Sequence, residues 1–382
     1  MKMRHGLAAS LLALAWTMPA FAQEDAPAGG PIMDGRGKKI SNGNKNQLVI
    51  YGFVTRALLY ADDGDQHQLF NVDGGAENTR VGWVATGKLN ENVTVIGHVE
   101  MDTPLSNKSE DINLTGNEAV DSADWTIRIQ EVAIAHKRFG KITLGQGETA
   151  SAERVTADLS GSNLALSNNP ADIAGGLHFY NKTARTRTVT IGDLFDDVDG
   201  NDKDDRVQYN LPEIGGLELA MSHTSAGSWD AGATYERKVG PFELEAGAFY
   251  ANVAAASTTQ KAMWGGSGSI KHESGLSLTM AGAARNEKAA GRDDPHYLWG
   301  KIGYSAGLFK IGQTHFGLSH GEYKNFAQNG DKATETGFGV VQDFESIGSH
   351  AWLTVRNHQL DRADNNDYDS IFIVSTGMLF NF

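Results

Sequence analysis

The chain has 382 residues, with 33 lysines and arginines against 47 aspartates and glutamates and a formal net charge of -14. That acidic balance argues against nucleic acid as a partner, and the absence of cysteine excludes a disulfide scaffold or a thiolate metal site. The 45 glycines, only 8 prolines and a negative mean hydropathy fit a large soluble β protein, or a barrel whose strands each turn one face to a wet lumen.

Lys2 and Arg4 precede a short apolar run, Leu7 to Thr17, and Ala20-Phe21-Ala22 supplies the small residues of a cleavage point before Gln23. Residues 1–22 therefore read as a secretory signal peptide, whose loss makes the exported chain more acidic by two charges. No stretch approaches the ~18 consecutive apolar residues of a spanning helix. A place in the membrane would then require a closed barrel, the other structure that satisfies every backbone group in lipid. Residues 23–46 lack apolar periodicity and read as a flexible leader.

From Gln47 onward, alternating segments repeat: Leu48–Ala61, Arg80–Lys88, Asn92–Met101, Trp125–Lys137, Lys141–Gly145, Arg206–Asn210 and so on to Tyr368–Phe382, about 16 in all. Tight connections such as Val239-Gly240-Pro241 and Glu273-Ser274-Gly275 interleave with long polar ones such as Asp102–Asp124 and Gly321–Lys332. Short turns on one side and long loops on the other suit a barrel in an outer membrane. The connection 146–205 is out of scale, and a loop this long in a compact fold is usually functional. In the last segment Phe380, Met378, Thr376, Val374 and Phe372 share one face, while Asn381, Leu379, Gly377, Ser375 and Ile373 share the other. This period-two pattern has the length of a bilayer-crossing strand, roughly ten residues. The terminal Phe382 resembles the assembly signal of bacterial outer-membrane barrels. The predicted fold is all-β: a transmembrane antiparallel β-barrel over 47–382, with about 16 strands.

The stretches VIYGFVTRALLYAD, NTRVGWVATGKLNENVTVIGHVEMD, RIQEVAIAHKRFGKITLGQG, DDRVQYNLPEIGGLELAMSH and GVVQDFESIGSHAWLTVRNHQLD, in that order and with the terminal FNF, resemble the general bacterial porin family over most of the mature chain. The resemblance implies a homotrimer in the outer membrane of a Gram-negative bacterium, set in lipid and lipopolysaccharide by the barrel assembly machinery. It implies passive diffusion of ions and small hydrophilic solutes, with no cofactor and no bond chemistry. It also implies that the third outer loop folds inward to narrow the lumen, and 146–205 lies where that loop belongs.

Such constrictions set acids on the loop against arginines on the opposite wall, making a field across a narrow aqueous gap. For the basic side, Arg80 opens the second strand, and Arg128 matches the family's second arginine. Gln146 departs from the pattern, because another arginine usually follows the strand-five glycine, and the face of Arg56 is ambiguous. For the acidic side, Glu100 resembles the family's lumen glutamate, and the loop offers Glu148, Glu153, Asp158 and Asp172. The later run DDVDGNDKDD reads as a solvated return to the rim. Acids outnumber bases, so a mild cation preference is expected. An inward Arg128 sends Glu131 outward by parity, which is costly in lipid unless a trimer interface receives it or a bulge changes the register.

Three alternatives stand beside this reading: a sugar- or organic-acid-selective channel, a non-conducting surface binding barrel, and a lipolytic barrel. The last rests on Gly317-Leu318-Ser319-His320-Gly321, a G-x-S-x-G match, with Ser319 and His315 or His320 as partners. Asp197, Asp199, Asn201 and Asp202 lack the glycine of a calcium loop, and the 12 histidines are scattered, so no metal site is expected. Trp83, Trp264, Trp299 and Trp352 are expected to include residues of an interfacial aromatic girdle.

Overall fold

The computed structural model describes residues 38–41, 46–74, 76–104, 107–116, 124–364 and 366–382. The expected signal peptide and most of the leader lie outside them. The antiparallel strands are β1 (Asn46–Asp62), β2 (Arg80–Lys88), β3 (Val93–Asp102), β4 (Thr126–His136), β5 (Gly140–Glu148), β6 (Lys203–Asn210), β7 (Leu217–Thr224) and β8 (Trp229–Val239). They continue as β9 (Phe242–Asn252), β10 (Gln260–His272), β11 (Leu276–Glu287), β12 (His296–Phe309), β13 (Gly312–Lys324), β14 (Lys332–Phe344), β15 (Ser349–Asp361) and β16 (Ile371–Asn381). Each pairs with the next, and β1 pairs with β16 from Phe53↔Asn381 to Asp62↔Phe372, closing a 16-strand barrel.

Two further segments share existing strand lines. His67–Asp73 pairs with the outer half of β1 and continues the line of β2, broken at residues 74–79. Lys38–Ser41 pairs with the first residues of β1, just beyond the point where Phe382 and Gly52 exchange backbone hydrogen bonds. Ordered pairing therefore begins within the stretch read as a leader.

The period-two pattern becomes two differently composed walls. Ile270, Leu278, Ile302, Leu318, Phe338, Val355 and Val374 are successive cross-strand partners from β10 to β16. This apolar row faces outward, with Leu318 60% exposed. One residue along each strand, Thr279, Lys301, Ser319, Gly337 and Arg356 are likewise partners, and these face inward. Alternation of this kind lets one sheet meet hydrocarbon on one side and water on the other. The aromatics divide too: Trp264 is outward, but Trp299 and Trp352 are only 2% and 4% exposed and pack inside. Those two are interior residues and not part of a girdle, because their strand parity places them with the lumen set.

The inside is filled by the connection between β5 and β6. Strands β5 and β6 run past the expected boundaries, so the loop is 149–202 and not 146–205. It carries two single-turn helices, α1 (Ala171–Ala174) and α2 (Ile191–Leu194), and a hairpin of His178–Asn181 with Thr186–Thr190. A capping box between Thr190 and Asp193 starts α2. The apolar side chains Ile173, Leu177, Phe179, Ile191, Leu194 and Phe195 are buried with Ile112 and with wall residues such as Leu59 and Tyr323. The hairpin reaches the outer rim, where Arg187 pairs with Asp63 and Asp65 at 2.7 and 2.6 Å and Lys182 pairs with Asp367 at 2.8 Å.

A charge on the outward row tests the assignment of faces. Leu318→Arg is expected to cost about 2–4 kcal/mol if Leu318 lies near the bilayer midplane, measured as a lowered urea midpoint in lipid vesicles.

Candidate functional site

Strands β1 to β4 place a charge network on the inner wall. Arg80 and Arg128 do face inward, but each is held by carboxylates. Arg80 lies 2.6 Å from Glu77, 3.6 Å from Glu100 and 3.7 Å from Asp102. Arg128 donates to Glu100 at 2.8 Å and lies 3.6 Å from Asp102. Tyr51 donates to the other oxygen of Glu100 at 2.8 Å, and the Arg80 guanidinium stacks on the Phe53 ring, 4.9 Å from its centre. Glu100 is thus on the lumen side but buried behind the arginines it pairs with. The arrangement is a mixed patch with more acid than base, not a bare arginine ladder. Arg56 faces outward and bonds Asn71 and pairs with Asp73.

The parity conflict at Glu131 is resolved by a bulge. Glu100 pairs with Ile129 and Met101 with Ile127, so Arg128 is the extra residue and both it and Glu131 turn inward. Glu131 accepts from Arg206 at 2.6 Å. Arg206 also donates to the carbonyls of Glu148 and Gly145, at 2.8 and 2.7 Å. A Cβ at Gly147 would come within 2.7 Å of the Glu131 carboxylate and sit tight against this guanidinium at 3.1 Å. Arg206, from the adjoining strand, therefore covers the strand-five glycines beside Gln146. The signal for it was present in the alternation of Arg206, Gln208 and Asn210 against Val207 and Tyr209.

Across from this patch, the loop borders a void of about 600 Å³. Glu153 and Asp172 lie on its edge, together with Asp196, Asp197, Asp199 and Asp202. The run expected to return to the rim is instead drawn inside: Asp199 accepts from the Glu153 amide at 2.6 Å, and Arg285 of β11 holds Asp196 at 3.0 Å. Asp158 and Glu148 do not border the void. Asp158 is turned to the wall, where it pairs with Lys301 and accepts from Thr279 at 3.1 Å. Glu148 is buried at the end of β5. Residues 107–116 also fold inward, bridging Asp73 through Lys108 and bringing Lys108 and Glu110 to the void. Glu77, Lys108 and Glu110 sit in segments whose inward path no local pattern signals, whereas Arg285 keeps the inward parity of Thr279, Ala281 and Ala283 along β11.

With Glu77 and Asp102 included, nine carboxylates and four bases, Arg80, Lys108, Arg128 and Arg285, line the void. Burial and the neighbouring Glu148 push Glu153 up to about 8. Burial and Asp196 push Asp197 up to about 7. Asp172 and Asp199 are raised well above the usual carboxylate range, by burial first and by Asp197 and Glu153 respectively. Burial works against ionised Asp158 as well, but Lys301 beside it holds that carboxyl below its ordinary value.

Ser319 donates to Glu335 at 3.1 Å, while His320, on the opposite face of the strand, lies 2.9 Å from Thr336. His315 lies 2.8 Å from Ser305 and 3.0 Å from Asp343. Ser305 donates its own proton to the Ser160 carbonyl at 3.1 Å, so it is an acceptor toward His315 and ties down the loop. The G-x-S-x-G match is therefore a strand segment and not a nucleophile elbow. Among the described residues no group of three or more acidic or histidine side chains is arranged to hold a metal ion.

The profile described as Gram-negative porin matches residues 8–348. No curated protein sequence matches the chain. Solved structures do. The anion-selective porin from Comamonas acidovorans aligns with TM-score 0.59 at 13% identity, covering 88% of this chain and 100% of that one. The outer membrane channel DcaP of Acinetobacter baumannii aligns with TM-score 0.56 at 13% identity, covering 91% and 99%. OmpF of Salmonella typhi, in complex with daunomycin, aligns with TM-score 0.52 at 14% identity, covering 90% and 100%.

Removing one partner of a buried ion pair strands the other. Arg206→Met, whose side chain is fully buried beside Glu131, is expected to destabilise the barrel by about 3–5 kcal/mol. The readout is the temperature at which the compact, heat-modifiable band is lost on a gel.

Proposed function

Because the chain belongs to the Gram-negative porin family and forms an outer-membrane channel, we propose that it passes ions and small hydrophilic solutes by passive diffusion, with a mild preference for cations. The observation that carries the preference is the excess of nine carboxyl groups over four bases around the void, an excess that becomes charge to the extent that the raised Glu153, Asp172, Asp197 and Asp199 ionise. The bases are also engaged: Arg80 with Glu77, Arg128 with Glu100, Arg285 with Asp196 and Lys108 with Glu110. A narrow passage with uncompensated negative charge raises the local cation concentration and repels anions. In this reading Glu153, Asp172 and the Asp196–Asp202 run act on solutes directly. Arg80, Arg128 and Glu100 shape the opposite wall, Asp158 serves to hold the loop, and Glu148 lies buried at the end of β5.

The protein works, in this proposal, as a homotrimer among outer-membrane lipid and lipopolysaccharide. Phe382 supplies the signal read by the barrel assembly machinery. Its ring is exposed and its backbone closes on Gly52.

Single-channel recording in a planar bilayer under a salt gradient tests the reading. The expected result is ohmic steps grouped in threes, with a reversal potential of cation-selective sign. An anion-selective sign would refute the charge argument, and folded barrels with no conductance would refute the channel.

The raised carboxyls also predict a pH dependence. A group whose value lies near 7 or 8 is largely neutral below that pH and gains its charge above it. Cation preference should therefore grow from pH 6 to pH 9, as Asp197 and Glu153 ionise. The double substitution Glu153→Gln, Asp197→Asn should flatten that rise, read from the reversal potential at each pH.

A further inference from the structure

The interior of β12 to β15 contains a socket into which one turn of the loop is fitted. Its floor is glycine. An added Cβ would come within 2.6 Å of Ser162 at Gly317, 2.6 Å of Leu166 at Gly337 and 2.7 Å of Ala165 at Gly339. The turn itself is closed by the amides of Ala165 and Leu166, both donating to the Ser162 carbonyl, at 3.0 and 2.9 Å. Two cations stand on either side. Lys301 of β12 donates to the Leu166 carbonyl at 2.8 Å, and Arg356 of β15 donates to the Ala165 carbonyl at 3.0 Å. Both side chains are fully buried. Lys301 is also paired with Asp158, eight residues up the loop from Leu166, and Arg356 lies 3.8 Å from Glu335.

Burying two cations in a wall is costly, and replacing such pairs by apolar side chains often leaves stability unchanged or improved. Packing alone therefore does not account for them. What they do is catch consecutive carbonyls of one turn from two strands separated by β13 and β14, which allows a single seating of the loop. Glu153 and Thr156 precede this anchorage and Asp172 follows it, and all three border the void.

We propose that Lys301 and Arg356 are positioning residues of the channel, holding the 162–166 turn in its glycine socket and so setting the aperture and the placement of the loop carboxylates. This rests on the reading of the void as the conducting passage. Neither residue borders the void, so neither acts on solute directly.

The experiment compares Lys301→Met, Arg356→Met and the conservative Lys301→Arg with the parent protein. Gly339→Ala raises the socket floor without touching a charge. Where Lys301→Met fails to fold because Asp158 is stranded, the double substitution Asp158→Asn, Lys301→Met removes both charges together. Folded Lys301→Met, its double and Arg356→Met should each shift single-channel conductance roughly twofold, with raised open-channel noise and a reversal potential moved toward zero. Lys301→Arg should retain most of the parent behaviour. A second readout does not need conductance. The chain has no cysteine, so Ser162→Cys introduces a single thiol beneath the turn, and its modification by a small charged thiol reagent should accelerate several-fold when Lys301 is replaced by Met. Folded variants with parental conductance, noise, reversal potential and thiol protection would overturn the proposal. A parent barrel that does not conduct would refute the channel reading alone, and the thiol rates would still decide whether these cations hold the loop.

Discussion

In hydrocarbon a backbone N–H or C=O has no water to bond, so a strand in a bilayer must be paired along both edges. Closure of the sheet follows from that constraint, and β1 is where it is met. Its outer half pairs with β16 on one side and with His67–Asp73 on the other, and its inner half pairs with Lys38–Ser41 and β2. Two strand lines are each made of two pieces, and both breaks are covered. Where the line of β2 parts at 74–79, the Asp73 backbone pairs with residues 107 and 109. Where β16 ends, Phe382 pairs with Gly52 and the Lys38–Ser41 segment takes over.

Once closed, the barrel encloses polar backbone and side chains around a lumen, and the 149–202 loop decides what that lumen is. Beside its buried apolar side chains, it is held by wall hydroxyls that accept from and donate to its backbone and by cations that donate to it. Ser222, Ser267 and Ser269 accept loop amides at 3.0, 2.9 and 2.9 Å, and Lys301, Ser305 and Arg356 donate to loop carbonyls. These contacts need the loop backbone to lie close against the wall, which explains inward glycines at positions 232, 247, 303, 317, 337 and 339. A Cβ at any of them would push the chain away from its partners. The same seating brings six loop carboxylates to one void opposite Arg80 and Arg128.

Much of the architecture was legible in the chain because a barrel strand alternates with period two, and a one-residue slip would turn its apolar set toward water. The closing strand from Ile371 illustrates this: Phe372, Val374, Met378 and Phe380 are forced outward, and Ile373, Ser375 and Leu379 inward. The family resemblance, and not the periodicity, pointed to Arg128 and Glu100 as lumen residues, while the periodicity made the conflict at Glu131 visible. Local reading stopped at the bulge that absorbs Arg128, because an extra residue is fixed by pairing with β3 and not by its own neighbours.

The sequence by itself determined the strand repeat, the sign of the charge balance and the position of the long connection, since each depends on residues near one another in the chain. The tertiary structure alone decided which loop acids meet the void. Asp158 is captured by Lys301, far away in the chain, and the Asp196–Asp202 run is drawn in by Arg285 and by the Glu153 amide. A loop carboxylate has no periodicity to orient it; its direction is set by whichever cation or amide the folded wall brings within reach.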